Sequence, residues 1–229
     1  MIPILYRDDS LLVVNKPAGL LTHRSHLAPD TDVAMMRARD TIGAHVWPLH
    51  RLDRGTSGAL AFGLDEDAAR EWQRQIEAGT IHKVYVALVR GVAPEAIVVD
   101  HPVPRSEGGE RVPALTAFKR LWAGEHVSLM EARPTTGRFH QIRRHLSHLR
   151  HPIACDSNYG TGWFNRKIRA TTPLTRLGLH ALCLSFSRPE GARAVRAPLA
   201  DDLAGALRVL GVPDELVSEL EAGGCSIGA

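Results

Sequence analysis

At 229 residues, 44% hydrophobic and 23% charged, the chain has enough apolar material for one folded domain, and global disorder is excluded. No stretch is long and apolar enough to cross a membrane as a helix, no signal peptide opens the chain, and Cys155, Cys183 and Cys225 show no paired spacing; together these predict a reducing cytoplasm. The net charge of +3 permits nucleic-acid binding without demanding it, but residues 132–155 carry five arginines and four histidines with no acid, while the C-terminal segment is acidic. That asymmetry predicts one face meant for polyanions.

In chain order, Ile2 to Tyr6 and Leu11 to Val14 predict two strands around the turn Arg7-Asp8-Asp9-Ser10. Asn15-Lys16-Pro17-Ala18-Gly19 stops the second strand, since Pro cannot donate to a ladder and Gly permits a reversal. On the residues alone this is a hairpin exit with a solvated lysine. Thr22-His23-Arg24-Ser25-His26 forms a loop that either reaches RNA or is simply solvated. Asp30 or Thr31 then caps a helix through Val33, Met36, Ala38 and Ile42.

The densest chemistry lies in His50-Arg51-Leu52-Asp53-Arg54-Gly55-Thr56-Ser57-Gly58. An aspartate between two arginines, on a turn between apolar segments, stays ionised and can act as an oxygen nucleophile or an acceptor. A structural ion pair at a turn is the competing reading. Ala59 to Leu64 follows as a strand, Asp65 as an N-cap, and Ala69, Trp72, Gln73 and Ile76 at helical spacing, with Gly79 closing the helix. Trp72 is read as core.

Ile81 to Gly91 is a strand by period-two alternation, with Val84, Val86 and Leu88 set against Lys83, Tyr85 and Ala87. Residues 92–113, with four prolines, read as a connection between lobes or a substrate-contacting loop. Leu115 to Trp122 and His126 to Glu131 form a hairpin. Thr136-Gly137 opens a helix whose buried stripe is Ile142, Leu146 and Leu149, with His140, Arg143, Ser147 and Arg150 on a neighbouring face suited to phosphates. A metal site built from His140, His145, His148, His151 and Cys155 is disfavoured by the absence of acids and the surrounding arginines. Tyr159 to Thr172 reads as a polar, aromatic loop, Leu179 to Phe186 as a buried strand, and Leu199 to Leu210 and Pro213 to Leu220 as closing helices.

Four spaced segments together resemble the RluA family of pseudouridine synthases: Asn-Lys-Pro-Ala-Gly at 15–19, His-Arg-Leu-Asp-Arg-x-Thr-Ser-Gly at 50–58, Lys-x-Tyr-x-Ala-x-Val-x-Gly at 83–91, and Thr-Gly-Arg-x-His-Gln-Ile-Arg at 136–143. The resemblance implies a mixed α/β (α+β) fold, with a largely antiparallel sheet in two lobes and flanking helices around an RNA cleft. It implies a single catalytic domain over 1–229 without a separate S4 domain, and isomerisation of uridine to pseudouridine without cofactor or metal. Asp53 becomes the catalytic residue, Tyr85 the residue that stacks on the target base and serves as general base, and Arg143 the partner of Asp53. His50, Arg51, Arg54, Lys83, Arg138, His140, Ile142 and Arg144 become substrate-binding residues, with Arg51 filling the space an extruded uridine leaves.

The continuation from Arg144 to Ile153, with Asp156, Gly160 and Asn165-Arg166 beyond, narrows the resemblance to members that modify uridine 65 of tRNA; ribosomal RNA or several uridines are the alternatives. No membrane or obligate protein partner is implied. The chain departs from the family at Cys155, where a glycine is usual before the aspartate, and in a short segment between Gly91 and Leu115. Attack of Asp53 at C1′, addition at C6 and elimination all remain open. Two rivals from other classes are a non-catalytic RNA-binding protein and a hydrolase that uses Asp53 as its nucleophile.

Overall fold

Residues 1–24 and 31–222 are described by the computed structural model, so Ser25, His26, Asp30 and Cys225 lie outside the described residues. In chain order the elements are β1 (Ile4–Arg7), β2 (Leu11–Lys16), α1 (Ala34–Ile42), β3 (Trp47–Pro48), β4 (Ser57–Gly63), α2 (Glu66–Glu77), β5 (His82–Arg90), β6 (Ala96–Asp100), β7 (Val103–Pro104), β8 (Arg111–Val112), β9 (Leu115–Ala123), β10 (Val127–Pro134), α3 (Gln141–His148), α4 (Gly162–Thr171), β11 (Leu179–Arg188), β12 (Gly191–Arg196), α5 (Asp201–Val209) and α6 (Asp214–Glu221). Ten strands form one sheet in the order β1-β2-β4-β11-β5-β10-β9-β6, with β3 beside β4 and β12 beside β11, while β7 and β8 make a small separate hairpin.

Among the described residues every strand pairing is antiparallel except that of β11 with β4, which joins an N-terminal half of the sheet to a C-terminal one. That junction demands a glycine. Gly58 has φ +113, and a Cβ on it would lie 2.2 Å from the carbonyl oxygen of Ala181. The turn that carries Asp53 runs directly into this crossing.

Period-two alternation sorts side chains between two covered faces. Leu12, Val14, Leu60, Phe62, Tyr85, Ala87 and Val89 pack with Ala34 and Ala38 of α1 and Ile142 and Leu146 of α3. On the other face Val86, Leu88 and Leu129 pack under α4, α5 and α6, and Leu11, Val13, Ala59 and Ala61 pack under Trp72 of α2. The alternation in β5 therefore distinguishes two buried faces, not an inside from an outside, and Tyr85 is buried with Val86.

Four expectations are corrected. Helix α1 is preceded by Val33, which makes no side-chain cap. In α2, Asp65 does accept from the Ala68 N–H at 2.7 Å, but Ile76 is exposed and Gln75 is buried, exchanging two hydrogen bonds with the Ser187 backbone. Helix α3 begins at Gln141, several residues after Thr136-Gly137. Within 159–172 a helix, α4, replaces the expected loop, because Phe164 and Ile168, one turn apart, bury against the sheet.

Candidate active site

Asp53 lies on the irregular segment that enters β4, and the chain around it is fixed through its backbone. The Thr56 N–H donates to the Asp53 carbonyl at 3.0 Å, closing the turn. On one side, the buried Thr22 hydroxyl accepts from the Leu52 N–H (3.1 Å) and donates to the Leu52 carbonyl (3.2 Å). On the other, the Arg54 carbonyl accepts from the Gly19 N–H (2.7 Å) and from Lys16 Nζ (3.4 Å). Lys16 is not solvated: it has no exposed surface, and its Nζ also donates to the carbonyls of Leu20 (2.7 Å) and Pro17 (2.9 Å). Burial pulls its pKa down to about 7, against the opposing pull of the Asp53 charge and with a contribution from Arg176 and Arg54.

The guanidinium that reaches Asp53 comes from α3. Arg143 Nη1 donates to Asp53 Oδ2 at 3.1 Å, while Nε and Nη2 make a bidentate pair with Asp156 at 2.8 Å each and Nη2 also donates to Asn158 at 3.0 Å. Burial opposes the charge on Arg143, but Asp156 and Asp53 outweigh it and raise its pKa; burial likewise opposes the charge on Asp156, whose pKa is nonetheless lowered by Arg143 and the N–H groups of Tyr159 and Asn158. Exposed helix pairs such as Arg70 with Glu66 contribute little, whereas breaking a buried, fully bonded pair leaves an uncompensated charge.

Asp156 is itself held from α4. Asn165 accepts from the Cys155 N–H and donates to the Asp156 carbonyl, each at 2.8 Å. Cys155 has φ +59, so the turn keeps a left-handed backbone with a side chain where a glycine was expected. The residues that sequence reasoning missed are Asp156 as the anchor of Arg143, together with Lys16 and Thr22 as anchors of the Asp53 turn. A signal for Asp156 was available: it is the single acid between Ala132 and Pro189.

Asp53, Arg51, Arg54, His140, Arg143 and Asn158 line a common pocket of about 490 Å³. Arg51 and Arg54 are exposed at its rim. Tyr85 on β5 is buried, and burial, then the nearby Asp53 charge, raises its hydroxyl well above the ordinary tyrosine pKa. Arg144 extends from α3 over the rings of Phe139 (5.7 Å) and Tyr159 (5.0 Å).

The other predicted residues lie apart. His50 accepts from the Ala61 N–H at 3.1 Å and stacks on Trp72; burial, then the Lys83 charge, keeps its pKa well below the ordinary histidine value. Lys83 is half-buried, with its pKa lowered by burial. Ile142 is core, and Arg138 is exposed on the segment before α3 with Nε 3.5 Å from the Pro113 carbonyl. His145 is bonded to Thr116 and to the His101 carbonyl, His148 stacks on the same His101, and His151 is bonded to the Arg90 carbonyl.

Comparison with known proteins bears on this geometry. Residues 10–148 match the RNA pseudouridylate synthase family model. The chain is 39% identical to tRNA pseudouridine synthase C of Vibrio cholerae over 95% of this chain and 99% of that protein, and 41% identical to that of Salmonella typhimurium over 82% and 81%. Among solved structures it resembles human RNA Pseudouridylate Synthase Domain Containing 4 (TM-score 0.74, 28% identity, 91% and 92% coverage) and Domain Containing 1 (0.72, 29%, 97% and 95%). The matched span contains Asp53, Tyr85 and Arg143, and ends before Asp156 and Tyr159. With sequence, fold and pocket in agreement, the chain belongs to the RNA pseudouridylate synthase family and is an isomerase that converts uridine in RNA to pseudouridine.

Proposed function

We propose that the chain acts on tRNA, at uridine 65, with Asp53 as its nucleophile, from a single catalytic domain over residues 1–229 and without a cofactor. The observation that carries the reading is the 3.1 Å contact of Arg143 with Asp53 at the pocket, with Arg143 anchored from behind by Asp156. The tRNA substrate is supported by the names of relatives about 40% identical over most of the chain, and the position by the residues that follow Arg143.

In this reading Asp53 attacks C1′ as the N1–C1′ bond breaks, the detached uracil turns in the pocket, and C5 bonds to C1′ as the aspartyl ester is released. The C5 proton is lost and N1 gains one, so the RNA mass is unchanged. Arg143 orients the carboxylate and receives its charge again when the ester opens. Burial and the Asp53 charge keep Tyr85 protonated, so we assign it to stacking on the base and not to proton removal. A uridine within a stem must be extruded first; Arg51 would fill the vacated space, and the acid-free arginine segment would hold phosphates. The enzyme would work beside its tRNA substrate in the cytoplasm; no helix among the described residues is long and apolar enough to cross a membrane.

The test is carbodiimide primer extension on tRNA transcripts incubated with the purified protein alone. A new stop at uridine 65 is expected. A stop elsewhere in tRNA or in ribosomal RNA retains the chemistry and overturns the position; release of free uracil overturns isomerisation.

A further inference from the structure

His140 has a backbone conformation that few residues other than glycine adopt, with φ +52 at the position preceding α3. It makes no capping bond there, and Gln141, the first residue of α3, instead ties down the preceding segment, accepting from the Thr136 hydroxyl (2.7 Å) and the Arg138 N–H (3.0 Å). The imidazole lies flat against Phe139, with ring centroids 3.8 Å apart. Its Nδ1 is 3.0 Å from the Tyr159 hydroxyl and its Nε2 is 3.8 Å from Asp53 Oδ1. Arg143 occupies Oδ2, and among the described residues no donor lies within hydrogen-bonding distance of Oδ1.

We propose that Tyr159, His140 and Asp53 form a positioning line: the Tyr159 hydroxyl donates to His140 Nδ1, the ring proton is thereby kept on Nε2, and that N–H is presented to Asp53 Oδ1. The inference rests on the function proposed above. A gap of 3.8 Å is too long for a hydrogen bond, so the line requires Nε2 and Oδ1 to approach to about 3 Å in the Michaelis complex. The arrangement gives the two carboxylate oxygens different partners. Oδ2 is held by Arg143, and Oδ1 faces the pocket with a donor in reserve, which makes Oδ1 the attacking oxygen and His140 a second donor, beside Arg143, to the carboxylate that returns when the ester opens. Tyr159 and His140 act through Asp53 and are positioning residues.

The groups facing His140 are Asp53, Arg143, Asp156, Arg144 and Tyr159. Burial, with Arg143 and Arg144, lowers the His140 pKa below its ordinary value against the pull of Asp53 and Asp156, so the ring is neutral at pH 7 and has a tautomer to fix.

The test compares Tyr159→Phe, His140→Ala and His140→Gln with wild type in pseudouridine formation from pH 5 to 8.5. At pH 8, Tyr159→Phe is expected to lower kcat about tenfold and His140→Ala between about tenfold and a hundredfold, with KM unchanged. His140→Gln, whose amide can supply the same donor, is expected to stay within about threefold of wild type. The Tyr159→Phe deficit relative to wild type shrinks as pH falls through the His140 pKa, because the imidazolium carries a proton on both nitrogens and needs no tautomer fixed. Equal losses for Gln and Ala, or a Tyr159→Phe variant as active as wild type at pH 8, overturn the line. Nitrogen-detected NMR of the His140 ring decides the matter without activity: the Nε2–H tautomer is expected in wild type, and an Nδ1–H ring refutes the proposal. A wild-type protein that forms no pseudouridine refutes the functional reading instead, and the ring spectrum still reports on the line.

Discussion

The two sides of the pocket are held by different physics. On the Asp53 side, the residues before and after the aspartate are gripped through backbone groups by Thr22, Gly19 and Lys16, and the carboxylate keeps 19% of its side-chain surface exposed. On the Arg143 side, the backbone is an ordinary helix and the side chain itself is pinned, 7% exposed, among Asp156, Asn158 and Asp53. In the proposed mechanism, the group that bonds to substrate is thus fixed by its chain and left open at its tip, whereas the group that orients it is saturated at its tip. The difference predicts that damage on the Arg143 side appears in stability and activity together, and damage on the Asp53 side more in rate.

The largest effect is expected from Asp156→Ala, which leaves the buried Arg143 with its main carboxylate partner removed. Urea unfolding should show a loss of about 3–5 kcal/mol, and activity should fall with it. Unchanged stability would mean that the Asp156 pair does not hold Arg143.

Next comes acid. His180 on β11 is buried against Ser57, the first residue of β4, with Nδ1 2.9 Å from its hydroxyl, and burial, partly offset by the Ala197 carbonyl, lowers its pKa to about 4. The unfolded chain binds this proton below about pH 6.5 and the folded chain does not until about pH 4. Stability is therefore complete above pH 6.5 and lost as pH falls toward 4, by about 3 kcal/mol from this group. His50 and His145, also lowered by burial, add in the same direction. Denaturant midpoints measured from pH 7.5 to 4.5 should show the slope, and His180→Gln should flatten it.

A smaller effect separates the two sides more sharply. Lys16→Met fills the same space and removes the donor to three carbonyls, costing about 1–3 kcal/mol of stability. Steady-state kinetics should show kcat lowered roughly tenfold with KM unchanged, because the turn loses its register while the pocket surface stays. A change confined to KM would place Lys16 among the binding groups. Smallest of all is Tyr85→Phe: with the hydroxyl held protonated, its loss should lower kcat by less than about tenfold, whereas Tyr85→Leu, which removes the ring, should cost more. A Phe variant as damaged as the Leu variant would restore proton removal to this residue.

Much of this molecule was legible in the sequence where local pattern decides. The apolar run of β2, the alternation of β5, the hairpin strand β10, the Asp65 cap of α2, and the spacing from Asp53 to Arg143 all depend on neighbours within a few residues or on motif resemblance. What stayed hidden depends on long-range packing. Lys16 is solvated or buried according to whether Leu20 and the Arg54 turn close over it, which the residues around it do not reveal. Helix α4 has no capping side chain and no acid in its first turn, so its only local sign was the pair Phe164 and Ile168. In α2 the apolar Ile76 lies outward because Gln75 finds backbone partners at Ser187, 112 residues away.

The central claim, that Asp53 is the reacting group and not one end of a structural ion pair, is tested most directly by Asp53→Asn. The variant keeps the size of the side chain and an acceptor toward Arg143, so the account predicts RNA binding within about threefold of wild type and no detectable pseudouridine in single-turnover assays on tRNA. Pseudouridine formed at a rate near wild type would contradict it, and would leave the Arg143–Asp53 contact as architecture alone.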